Sequence, residues 1–203
     1  MSQCSRKAIL VTAFEAFDSE KLNPPDKVLG FLPDTVEETS VKKLVLPVEF
    51  HRSLELALAA VEEIRPAAVV MLGQAGGRSA VTPESTARNE MNARIPDNAG
   101  YRPEHLPVVE GGPGIYRSTL PLEEMLREMK SHGIPCELSD DAGAYVCNAL
   151  FYGMIDHLKG RIPAGFIHVP YIREQGHEDK PFLEFETVLQ AVDIILRCLA
   201  PIV

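Results

Sequence analysis

Residues 67–78 read AAVVMLGQAGGR, and this stretch decides the fold class. Its first half, AAVVML, is apolar at every position, with no polar alternation. Such a run fits a strand covered on both faces, the situation inside a parallel sheet packed between helices. The glycine-rich GQAGGR then supplies a turn at the strand's C-terminal end. Immediately upstream, residues 49–64 form an amphipathic helix. Leu54, Leu58, Val61 and Ile64 recur at steps of three and four, and Arg65-Pro66 stops the pattern.

The same alternation extends in both directions. Towards the N-terminus lie a strand at 8–12 (AILVT), a short helix (DKVLGFL) entered through Asn23-Pro24-Pro25, and a strand at 41–48. Towards the C-terminus, Leu122, Met125, Leu126 and Met129 mark a helix from near Pro121 to Gly133. A strand at 134–138, the loop SDDAG and an apolar helix at 144–158 follow. GFIHVPYI is a strand ending at Pro170. Residues 183–199 close the chain as a helix, with Val188, Val192, Ile195 and Leu199 on one face. Strands alternating with helices predict an α/β three-layer sandwich with a twisted, largely parallel central sheet flanked by helices. With no internal repeat or linker, residues 1–203 read as a single domain. Residues 79–118 are irregular, and so long a stretch is uncommon in a compact domain unless it is functional.

Composition narrows the function. Hydrophobic residues make up 45% of the 203, enough for a core without a disulfide or metal staple. A net charge of -9 argues against nucleic acid as a partner, since phosphate binding draws on an excess of Lys and Arg. Cys4, Cys136, Cys147 and Cys198 show no CxxC spacing, which argues against a zinc site or a disulfide scaffold. No apolar run approaches the roughly 20 residues that span a bilayer, and the start does not read as a secretory signal. A reducing cytoplasm, without membrane attachment, is the expected setting. HExxH, GxSxG, GxGxxG and GxxxxGK are all missing, and no cofactor or metal is expected.

Some residues stand out as carriers of chemistry. Cys147 falls in the first turn or so of the helix after SDDAG, where the helix dipole and unpaired amides lower a thiol's pKa and favour the thiolate. From position alone, a buried packing role is the commoner outcome for such a cysteine. His168 lies near the C-terminal end of its strand, where α/β folds display catalytic groups, and a thiol nucleophile needs such a base. Glu84, in TPES, is one carboxylate that could orient that histidine. Phe14 and Phe17 flank a loop after the first strand and suit an apolar pocket wall. For Arg78, Arg88 and Arg94 surface solvation is the default.

Four blocks, in order, resemble the pyroglutamyl peptidase I family. They are ILVTAFEAF with Asn23-Pro24, VVMLGQAGGRSAVTPESTARNEMNARIPDNAGYRP, SDDAGAYVCNALFYGMID, and GFIHVPYIREQ. The resemblance implies a cysteine peptidase that hydrolyses N-terminal pyroglutamyl residues from peptides. It implies Cys147 as nucleophile, His168 as base and Glu84 as orienting carboxylate, acting through a thioester acyl-enzyme. Phe14, Phe17, Asn23, Gln74 and Arg94 would contact substrate, and the assembly would be a homotetramer. One departure stands out. The family's first loop usually reads GFxPFGG, whereas residues 13–19 read AFEAFDS. Loss of glycine and proline alters the φ values open to the loop. A triad-bearing homologue with altered pyroglutamyl recognition, acting as a binding protein, is the alternative reading. Asp140 and Asp141, just before the cysteine's helix, would raise the thiol's pKa or favour the helix start.

Overall fold

The computed structural model describes residues 7–17, 20–177 and 179–203. Strand β1 (Ala8–Phe14) leads to helix α1 (Pro24–Phe31), the short β2 (Thr35–Val36), β3 (Thr39–Leu46), α2 (Phe50–Ile64) and β4 (Ala68–Gln74). Three short strands follow, β5 (Thr82–Pro83), β6 (Thr86–Arg88) and β7 (Ile115–Arg117), then α3 (Leu122–Ser131) and α4 (Val146–Leu158). The chain ends with β8 (Ala164–Val169), β9 (Tyr171–Ile172), β10 (Phe182–Leu183) and α5 (Phe185–Leu199). The main sheet has the order β2-β3-β1-β4-β8-β5. Its centre, β3-β1-β4-β8, is parallel throughout, while β2 and β5 are antiparallel edges.

The apolar runs form this sheet because each central strand is buried on both faces. Ile9, Val11, Val70, Leu72, Ile167 and Val169 point into one core with α1, α3 and α5. Leu10, Val69, Met71 and Phe166 point into the other, against α2 and α4. Alternate residues of a strand face opposite sides, so a continuous apolar run serves both layers. The expected three-layer sandwich with a mostly parallel sheet is the observed fold. Among the described residues no helix is long and apolar enough to cross a membrane.

Several boundaries differ from the sequence expectation. Helix α4 starts at Val146, two residues beyond the expected 144, and α5 at Phe185, because Leu183 instead pairs with Ile172 in β10. The strand expected at 134–138 is a broken ladder. The chain runs parallel to residues 81–85, with bonds from the N–H groups of Val81, Glu137, Ser139 and Ser85. Pro83 has no N–H, so the middle rung is missing and only isolated bridges remain at Val81–Cys136 and Glu84–Ser139.

The irregular region is held by side chains standing in for a ladder. The Asn89 amide donates to the Val109 and Gly112 carbonyls while its oxygen accepts from Val109 N–H. Asn148, buried on α4, pairs with both backbone groups of Arg88 and with the Glu90 carbonyl. Asp97 accepts from Ala99 and Tyr101 N–H and, through Oδ2, from Phe50 N–H at the start of α2. Replacing Asp97 with Ala leaves three donors without this partner. Asp97→Ala is expected to cost about 1–3 kcal/mol, read as a lower midpoint in urea unfolding. An unchanged midpoint would contradict this account of the region.

Candidate active site

The loop before α4 sets the position of Cys147. Gly143 takes a left-handed φ of 79°, and its N–H is accepted by the Asp141 carboxylate at 2.9 Å. This turn aims the chain into α4, whose first residues are Val146 and Cys147. No side chain caps that helix start at Tyr145. The first intrahelical bond is Ala149 N–H to the Tyr145 carbonyl, so the N–H groups of residues 146–148 lie ahead of the ladder, as at any helix start.

The thiol lies over the C-terminal end of β4. A Cβ placed on Gly73 would stand 3.0 Å from Cys147 Sγ and 2.7 Å from the Phe166 ring. Only glycine lets the sulfur and the ring approach the strand this closely. Gly73 is also the register partner of His168 on β8. Phe166 and His168, two residues apart, share the α4 side of the sheet, with ring centroids 4.7 Å apart. Neighbouring strands are about 4.8 Å apart, so the imidazole is one strand over from the position above which the sulfur sits.

His168 is nearly fully buried, and its Nδ1 lies 2.7 Å from Glu84 Oε1. Glu84 is fully buried just beyond β5 and also accepts from Arg78 Nη1 at 2.6 Å. Burial by itself pushes the Glu84 carboxyl up. The hydrogen bond and charge of His168, then Ser139 and Arg78, outweigh it and hold the group below its usual range. Glu84 is therefore a carboxylate, Nδ1 donates to it, and Nε2 is the nitrogen left to act as base. For His168, burial outweighs the Glu84 contacts and lowers the pKa.

Cys147 departs from the sequence expectation. Its thiol is pushed up to about 12, by burial first and then by the Glu84 charge, against smaller lowering effects of its own backbone N–H and Arg78. The helix start does not win, because desolvation of a thiolate outweighs a first-turn dipole worth about 0.3–1 kcal/mol at ordinary sites. The resting pair is thiol and neutral imidazole. The acidic pair before the helix does not act on the sulfur as expected. Asp140 is exposed, and the Asp141 carboxylate, bound by Gly143 N–H and Arg88, sits below its usual range.

Beside the sulfur opens a pocket of about 470 Å³, mouth included, lined by Phe14, Phe17, Glu20, Leu22, Asn23, Val48, Gln74, Tyr145, Val146 and Cys147. Four of the five expected contact residues meet here. Arg94 does not; it is exposed and lines a separate surface depression with Arg102 and His105. The Asn23 amide donates to the Phe14 and Glu15 carbonyls at 2.7 and 2.9 Å. Its Oδ1 is buried with no hydrogen-bond partner. Gln74 Oε1 accepts from Gln175, whose amide also reaches the Leu22 carbonyl. Phe17 packs on Tyr145 at 5.8 Å. Among residues 13–17 none has positive φ, so the part of the altered loop described here needs no glycine; Asp18 and Ser19 lie outside the described residues.

A family model described as "Pyroglutamyl peptidase" matches residues 7–200. The chain belongs to the pyroglutamyl peptidase family. It is 39% identical to pyrrolidone-carboxylate peptidase 1 of Caldanaerobacter subterraneus subsp. tengcongensis over 93% of this chain and 96% of that protein. It is also 39% identical to pyrrolidone-carboxylate peptidase of Bacillus subtilis, over 93% of this chain and 90% of the other. The crystal structure of pyroglutamyl peptidase I from Bacillus amyloliquefaciens superposes with a TM-score of 0.92 at 36% identity, covering 95% and 94% of the two chains. Membership makes this chain a pyroglutamyl-peptidase I type enzyme.

Arg78, Gln175 and Asn148 were not singled out as functional from the sequence, although all three stand inside the matching blocks. Two outcomes test the geometry of this peptidase site. Gly73→Ala should lower kcat/KM at least about tenfold, because a Cβ there forces Phe166 or the thiol to shift; wild-type kinetics would sink the placement. Iodoacetamide labelling of Cys147 in the substrate-free enzyme should climb with pH from 7 to 9, as thiolate is scarce well below a pKa of about 12. A plateau across that range would reveal a depressed pKa instead.

Proposed function

We propose that the chain is a cysteine peptidase that removes N-terminal pyroglutamyl residues from peptides. Cys147 is the nucleophile, His168 the base and acid, and Glu84 the orienting carboxylate. The observation that carries this reading is the buried Glu84–His168 pair at 2.7 Å, one strand from the glycine over which Cys147 Sγ rests.

The pocket supports the substrate class. A pyroglutamyl ring is a neutral lactam with an apolar edge, one N–H and one carbonyl. Phe14, Phe17, Leu22 and Val48 offer apolar walls. The unpartnered Asn23 Oδ1 offers an acceptor for the lactam N–H. Its orientation is fixed, because both carbonyls on the other side of the amide accept only. Gln74, with its oxygen taken by Gln175, keeps its amide N–H groups for the lactam carbonyl.

The reaction then follows from proton accounting. His168 Nε2 takes the thiol proton as Sγ attacks the pyroglutamyl carbonyl, so a neutral resting pair suffices. Glu84 stabilises the imidazolium that forms. The first-turn amides of α4 stand where an oxyanion would develop. Collapse breaks the C–N bond and His168 returns the proton to the leaving amine. Water, deprotonated by His168, attacks the thioester and restores the thiol. Retention of Phe14 and Phe17 in the pocket favours this reading over a binding protein with a disabled loop. The proposal includes a homotetramer acting in the cytoplasm, the assembly being open to sedimentation analysis.

Release of a chromophore from a pyroglutamyl amide tests the roles. Cys147→Ser should lose at least about 1,000-fold in kcat, and similar rates in both proteins would remove Cys147 as nucleophile. Asn23→Leu, which deletes the acceptor, should raise KM by about tenfold or more; an unchanged KM would exclude Asn23 from lactam recognition.

A further inference from the structure

We propose that Arg78 is a positioning residue that holds Glu84 against His168 and ties that pair to the loop delivering Cys147. The inference rests on the triad reading above and adds to it a fourth member outside the reacting atoms. An arginine on a glycine-rich turn would ordinarily reach into water. Here the side chain is only 26% exposed. Its Nη1 donates to Glu84 Oε1 at 2.6 Å and also bonds Thr82 Oγ1. Its Nη2 donates to the Asp141 carbonyl at 2.8 Å.

These three acceptors belong to the pieces that must be kept in register. Thr82 is the β5 residue opposite His168. Glu84 is the carboxylate. Asp141 lies in the turn that aims the chain into α4 and so places the sulfur. One planar guanidinium therefore spans the strand paired with the base's strand, the acid and the nucleophile's loop. Its fork of fixed donors suits three acceptors, whereas a lysine ammonium on a flexible stem cannot hold all of them at once.

Arg88 provides a natural contrast. It grips the same loop, but through the Asp141 carboxylate and not through Glu84. It shares the clamp and not the electrostatic link. The charged or titratable groups that act on His168 are Glu84, Arg78 and Asp141, with Cys147 as its proton partner. Of these Arg78 is the cation. Its charge disfavours the imidazolium, so its removal should let His168 keep a proton to higher pH.

Pyroglutamyl amide hydrolysis across pH, with rates normalised to alkylatable Cys147, decides the matter for wild type, Arg78→Met, Arg78→Lys, Arg88→Gln and His168→Ala. Arg78→Met should lose about 100-fold in kcat with KM within about threefold. Its acid limb should move alkaline by about half a pH unit or more. Arg78→Lys should keep the limb in place yet remain about tenfold below wild type in kcat. Arg88→Gln should lower thermal stability without moving the limb. Wild-type kcat and limb in Arg78→Met would overturn the proposal, as would an equal limb shift in Arg88→Gln. If Arg78→Met does not fold, full wild-type kcat in Arg78→Lys overturns it equally. Wild-type activity in His168→Ala would instead remove the triad reading itself. An inactive His168→Ala with normal Arg78 variants would remove only the role given to Arg78.

Discussion

A carboxylate with no exposure to water sits at the edge of the central sheet, and the surrounding structure answers to it. An unpaired buried charge costs several kcal/mol, so Glu84 must meet donors or take up a proton. The donors come from two separate places in the chain, Arg78 on the turn after β4 and His168 on β8, and both meet Oε1. Each has to be delivered by a well-placed backbone. This explains why β5 is a two-residue strand pinned between β8 and residues 135–139, and why Pro83 can sit in it without harm. The rung that Pro83 deletes is replaced by bonds on either side, and the side chain of the next residue is turned into the sheet's end.

The same burial governs the sulfur. Removing water from the site raises the cost of every charge, so the thiol and the imidazole are both driven towards neutral forms while Glu84, with its donors, stays charged. A first-turn dipole is a weaker influence than the desolvation of a half-buried thiol. What the helix start still provides is a set of amides ahead of the ladder, which in the proposed reaction would serve negative charge on a substrate oxygen rather than on sulfur. On that proposal the site is arranged for charge that appears during the reaction, and a neutral lactam entering an apolar pocket would introduce none beforehand.

How much of this was legible in the sequence depended on whether a local rule governed each part. The runs at 8–12 and 67–72 and the periodic helices obey burial rules that act residue by residue, and the sheet they form follows. Residues 79–118 obey no such period, because Asn89, Asp97 and Asn148 do the work of a ladder through side chains, and their partners lie up to 60 residues away. Glu84, His168 and Cys147 were raised as candidates by position and strengthened by the blocks that surround them. Arg78 was discounted because a lone arginine defaults to solvent, and only the positions of Thr82, Glu84 and Asp141 in space reveal three acceptors within reach of one guanidinium. Arg94 differs: it stands inside the longest matching block, and its side chain is exposed outside the pocket.

The described part of the altered first loop, residues 13–17, needs no special backbone conformation. Glycine and proline matter in a loop only where φ must be positive or must be fixed. Along residues 13–17 the backbone keeps negative φ, and Glu15 N–H is held by the Leu46 carbonyl at 2.9 Å. The Asn23 amide takes the carbonyls of Phe14 and Glu15. Three hydrogen bonds therefore fix the path that glycine would otherwise leave free, and two of them orient the Asn23 oxygen into the pocket. A buried side-chain amide thus helps to hold this part of the loop.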